Sequence, residues 1–187
     1  MRTCQAVLDN QVKPYHPNFH NQLFGGFDQY SFMGAVMAPA INGSVFTYEI
    51  SPCYTLMENY LFEHLRKVVG WEKIDGTMTP GGSFANFMGL MMARYRAHPE
   101  ANSKGLYGLK PMKIVTSDVS HYSIKKGTIL IGLGTDNIVY VKTDPNGRMI
   151  PSELEKAIKL EVDAGNEIIM VNSTVGTTVE GNIDPVT

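Results

Sequence analysis

Three short segments concentrate side chains and backbone types suited to binding or chemistry. Thr79-Pro80-Gly81-Gly82-Ser83 stands directly before a stretch of helical periodicity. Its two glycines let a ligand approach the backbone closely, and the N–H groups and dipole of a first helical turn attract an anion such as a phosphate. The same residues also suit a tight turn with Ser83 as helix cap. Ser117-Asp118-Val119-Ser120-His121-Tyr122-Ser123 puts His121 at a strand-to-helix junction. There an imidazole either stacks on a planar ring and exchanges a proton, or satisfies a turn through hydrogen bonds. Asn172-Ser173-Thr174-Val175-Gly176-Thr177-Thr178 ends an apolar run with hydroxyls and a glycine, which serve a ligand as donors or cap the next turn.

Rival chemistries lack their residues. His16 and His20 are four apart, but Pro17 lies between them and no nearby glutamate completes a metalloprotease motif, so no metal site is expected. A Gly-x-Ser-x-Gly elbow and a Walker A motif are absent, and Gly132-Leu133-Gly134 begins a dinucleotide fingerprint without finishing it.

Regular elements must hold these loops. Met57, Leu61, Leu65 and Val68 recur at helical spacing from Pro52 to Val69, with Pro52 suited to the first turn. Phe84, Phe87, Met88, Met91 and Tyr95 predict a helix over Ser83 to Tyr95, and Leu154, Ile158 and Val162 another over Ser152 to Ala164, opened by a Ser152/Glu155 capping box. A further helix is expected from Asp28 to Met37, after a polar loop from Pro14 to Gly26. Lys113–Thr116, Asn137–Thr143 and Glu167–Val171 are short and β-branched, as strands are. Strands this apolar, alternating with helices, predict an α/β fold with a mainly parallel sheet between helices. Ligands of such sheets collect at the carboxyl ends of the strands, where the His121 and Thr174 loops begin.

Composition limits the partners. The 187 residues are 43% apolar, with 16 basic against 18 acidic side chains, for a net charge of −2. Neither nucleic acid nor an anionic membrane is an expected partner of so balanced a chain. No apolar run approaches the roughly 20 residues of a spanning helix. Asp9, Asn10 and Gln11 leave no room for a signal peptide's apolar core, and Cys4 and Cys53 read as reduced thiols, so a cytoplasmic location is expected.

The three loops, in this order and spacing, resemble the pyridoxal-phosphate-dependent group II amino-acid decarboxylases, in the branch acting on acidic amino acids. The likeness runs over essentially the whole chain, through His16–Gly26, Phe46–Pro52, Gly70-Trp71, Thr79–Ser83, Ser120–Ser123 with Lys125 and Lys126, Gly132–Asn137, Gly147–Pro151 and Gly176–Pro185. It implies a fold-type I transferase-like large domain over 41–187, incomplete at its carboxyl end, and an N-terminal arm and loop region over 1–40 that contributes to the substrate site. It further implies pyridoxal 5'-phosphate as cofactor, with Gly82 and Ser83 on its phosphate, His121 stacked on its ring as the catalytic residue, and Thr174 approaching from the opposite side. Gln22 would help receive the carboxylate of a small acidic amino-acid substrate. Phe24, bulky where glutamate-specific members tend to carry a small hydroxyl residue, tilts the choice toward cysteine sulfinate or aspartate, with glutamate the alternative. A homodimer is implied for the full-length enzyme.

The chain departs from the family pattern in what it lacks: the aspartate that pairs with the pyridine nitrogen and the Schiff-base lysine both match positions beyond Thr187. It contains no His-Lys dipeptide, the family's site of the Schiff-base lysine, and Lys125 and Lys126 match other positions. The expectation is therefore a fragment that is inactive alone. A non-catalytic phosphate-binding module and a dimerisation partner are the alternatives from other classes.

Overall fold

The computed structural model describes residues 2–21, 23–73 and 75–186. The chain divides into two compact units, residues 1–78 and 79–187.

The first unit is helical: α1 (Arg2–Asn10), α2 (Gln29–Ile41) and α3 (Pro52–Val69). Asp28 caps α2, its carboxylate accepting the Ser31 N–H at 2.7 Å, and that bond holds the carboxyl below its ordinary range. The helix runs four residues past Met37, through Pro39, and stops where Asn42 turns left-handed and returns its N–H to Ala38. A proline near the end interrupts only one backbone bond, so the turn survives there. α3 spans the predicted residues because Pro52 suits its first turn and Gly70, at φ +77°, ends it. Among the described residues of this unit no apolar side chain is buried.

The second unit holds the sheet. Its elements are α4 (Gly82–Ala97), α5 (Ala101–Lys104), β1 (Met112–Ser117), α6 (Ser123–Leu130), β2 (Ile138–Val141), α7 (Pro151–Asp163) and β3 (Glu167–Asn172). The strands lie in the order β2-β1-β3 and both pairings are parallel. Ile114 of β1 faces Leu90 of α4 and Ile124 of α6 in one core cluster, while Val115, its neighbour along the strand, joins Val141, Met149 and the apolar side of α7 in another. Alternate residues of one strand point to opposite faces, so the sheet is covered by helices on both sides, as its apolar composition requires. Leu90, Ile114 and Ile124 are fully buried, each contributing roughly 1.5–3 kcal/mol. α4 and α6 meet closely at Gly127, where an added Cβ would fall 2.4 Å from Leu90 Cδ1.

Two expected caps form differently. The Ser152/Glu155 capping box is absent because Pro151 already opens α7, leaving Ile150 as the cap residue and Ser152 inside the first turn. Likewise Gly81 occupies the cap position of α4, so Ser83 is the second residue of the helix and not its cap. The second strand is shorter than predicted: Asn137 belongs to a 3-10 turn, where its side chain donates to the Leu133 carbonyl at 2.7 Å.

Candidate functional site

Because the strands are parallel, their carboxyl ends share one edge of the sheet. β1 ends at Ser117, and its continuation carries His121; β3 ends at Asn172, and its continuation carries Thr174. Asn172 ties the two strand ends together by donating its side-chain amide to Thr116 Oγ1 at 3.0 Å. His121 and Thr174 then line one cleft of about 510 Å³, with Ser120, Tyr122, Gly176 and Thr178. A larger cleft of about 680 Å³, bordered by His98, Lys110 and Glu167, includes none of the residues singled out from sequence.

Each wall is held from behind. Tyr122 packs on one face of the imidazole, with ring centroids 4.1 Å apart, and Lys126 Nζ lies 4.4 Å from the Tyr122 ring centre. An imidazole has two faces, which leaves one for a planar ligand. The ring edge is fixed by Ser123, whose hydroxyl lies 2.8 Å from His121 Nδ1 and whose backbone N–H donates to the same nitrogen at 3.2 Å. Ser123 is wholly buried, and Asn86 of α4 donates its amide to the Ser123 hydroxyl at 2.7 Å.

Thr174 is held by Asp184. This carboxylate, 3% exposed, accepts the backbone N–H of Met149 and that of Thr174, both at 2.7 Å. The Asp184 N–H returns to the Thr174 carbonyl, and Val175 bridges to Ile183 beside it. The hydroxyl-rich segment is thus a closed excursion clamped at its base.

The start of α4 is open. A Cβ built on Gly81 or Gly82 meets no atom within 4 Å, so the backbone there is accessible to a ligand. Ser83 stands one turn before Asn86, the residue linked to the His121 wall. Ser117, at the end of β1, keeps a buried hydroxyl with no hydrogen-bond partner among the described residues. The exposed backbone at the start of α4 suits a phosphate, and the imidazole with hydroxyls on the facing wall suits an aromatic ring, although Gly82 and Ser83 are not among the residues that line the His121 and Thr174 cleft.

Phe24 belongs to the first unit, where its ring meets Phe19 edge-on at 5.8 Å, and Gln22 lies outside the described residues. His16 sits in a turn, its Nδ1 accepting the Asn18 N–H at 3.1 Å. Asn86 and Asp184 are supports that spacing does not single out. The signals available for them are a polar side chain amid the apolar residues of a helix, and an aspartate just before a proline.

The family model described as the pyridoxal-dependent decarboxylase conserved domain matches residues 1–187, and the chain belongs to that family. Its cofactor is accordingly pyridoxal phosphate. The chain is 42% identical over 185 residues to the cysteine sulfinic acid decarboxylase of Rattus norvegicus, covering 99% of itself and 38% of that protein. It is also 42% identical to the acidic amino acid decarboxylase GADL1 of Bos taurus, covering 36% of that protein. The crystal structure of mouse CSAD in apo form superposes with a TM-score of 0.95 at 42% identity, over 99% of this chain and 39% of that one. The chain therefore spans about two fifths of the length of the curated relatives it matches.

Proposed function

We propose that these residues form the cofactor-holding part of a carboxy-lyase that removes the α-carboxylate from a short acidic amino acid, cysteine sulfinate or aspartate. The observation that carries this is the meeting of His121 and Thr174, from the segments that follow two different strands, in one cleft at the carboxyl edge of the sheet. Gly82 and Ser83 would hold the cofactor phosphate through backbone N–H groups and the serine hydroxyl. His121 would lie against the ring, and Thr174 would offer its hydroxyl from the other wall. When bound, the pyridine ring supplies the electron sink for loss of carbon dioxide. The chain's own contribution is orientation: a clamped threonine, a fixed imidazole and a phosphate anchor hold the reacting bond in one geometry. The 187 residues contain no His-Lys pair, so they are assigned cofactor binding and orientation and not turnover by themselves.

The N-terminal segment would supply substrate contacts through Gln22, and Phe24 would set pocket length by filling the space of one methylene. The relatives' names favour acidic substrates, and Phe24 favours the shorter ones. The test uses the full-length protein containing these residues. Carbon dioxide release from cysteine sulfinate and aspartate should exceed release from glutamate, and Phe24→Ser should shift the preference toward glutamate by roughly 10- to 200-fold, the range for one methylene. Glutamate preferred by the unsubstituted protein, or no shift in the variant, would overturn the substrate assignment.

A further inference from the structure

We infer that Asn86 is a positioning residue: acting through Ser123, it fixes the tautomer of His121 so that the imidazole carries its proton on Nε2. The inference takes its purpose from His121 as the cofactor's ring partner, but its logic is independent of any cofactor. A backbone N–H can only donate, and that of Ser123 donates to His121 Nδ1 at 3.2 Å. Nδ1 must therefore be an acceptor, which a neutral imidazole allows only when the proton is on Nε2. The Ser123 hydroxyl, 2.8 Å from the same nitrogen, must then donate its hydrogen to it. Its lone pairs are left facing Asn86, and the Asn86 amide meets them as a donor at 2.7 Å. Each orientation fixes the next, with Ser123 fully enclosed and no water needed.

The relay also couples two parts of the site. Asn86 stands one helical turn after Ser83, on the helix whose start would hold the phosphate, and 35 residues before His121. Any rotation of α4 that spoils the phosphate anchor would also withdraw the amide that orients Ser123. The Asn86 amide donates to the Ser123 hydroxyl, so its effect on the imidazole passes through that group.

The test is nitrogen NMR of the full chain labelled with [15N]histidine, without cofactor, the His121 signals being assigned by their loss in His121→Gln. The expected spectrum of the unsubstituted chain shows Nδ1 bare and Nε2 protonated. Asn86→Asp replaces the donor by an acceptor, draws the Ser123 hydroxyl hydrogen away, and should raise the proportion of Nδ1–H tautomer about fivefold, the factor one hydrogen bond sets. Ser123→Ala, which removes only a hydroxyl, should move the ratio the same way, and circular dichroism identifies whichever variant remains folded. A proton on Nδ1 in the unsubstituted chain, or an unchanged ratio in a folded variant, would overturn the inference. Because no cofactor is present, these outcomes are separate from a failure of the chain to bind pyridoxal phosphate.

Discussion

Replacing Asp184 by asparagine should loosen the segment that carries Thr174. The Asp184 carboxylate accepts two backbone N–H groups at 2.7 Å, one from Met149 in the core and one from Thr174. Hydrogen bonds to a charged acceptor are worth about 1.5–3 kcal/mol each. Asparagine keeps one carbonyl oxygen and turns its NH₂ toward the other N–H, so one bond is lost and two donors are opposed. The Met149 end is buried and feels the full effect, whereas the Thr174 end is half-buried and feels less. A cost of about 2 kcal/mol follows, equivalent to about 30-fold in a local opening equilibrium. Amide hydrogen exchange reads this directly, since each of the two N–H groups reports its own bond. The Met149 amide should exchange about 30-fold faster in Asp184→Asn than in the unsubstituted chain, and the Thr174 amide faster by a smaller factor. Wild-type protection at both amides would refute the clamp as the device that holds Thr174.

Other substitutions test other links. Gly82→Ala should leave the fold intact or gain roughly 0.5–1 kcal/mol in chemical denaturation, because the added Cβ meets open space and alanine favours a helix, yet it should weaken binding of pyridoxal phosphate measured by calorimetry. Gly127→Ala should destabilise the unit by about 1–3 kcal/mol in urea, since its Cβ would strike Leu90 and Phe87. His98 is bonded through Nε2 to Glu167 at 2.8 Å and through Nδ1 to Glu100 at 3.2 Å, and these partners raise its proton affinity, Glu167 foremost. A raised imidazole contributes stability that is full below its ordinary range, near about pH 6.5, and is lost as pH climbs through the raised value. Melting temperature should therefore fall over that window, and His98→Gln should flatten the fall.

The fold was legible wherever local chemistry decides it. α3 agrees with its sequence pattern at both ends because Pro52 and Gly70 mark them, and the three strands stand out because sheets covered on both faces leave apolar, β-branched runs. The capping box of α7 misleads because Ser152 and Glu155 have the right spacing while Pro151 begins the helix a residue earlier. At the site, His121 and Thr174 could be picked out by their place after strands. The partners of their supports could not: Asn86 meets Ser123 across 37 residues, and Asp184 meets Met149 across 35. Such contacts are made by packing, and no local pattern encodes them.

In the function proposed above, the start of α4, His121 and Thr174 together hold a phosphorylated pyridine. The most direct measurement is a calorimetric titration of the chain with pyridoxal phosphate and with pyridoxal, repeated for Ser83→Ala and Thr174→Ala. Saturable binding of the phosphorylated compound, much weaker binding of pyridoxal, and loss of affinity in both variants is the predicted result. Equal affinity for the two compounds, or binding untouched by either substitution, would contradict it.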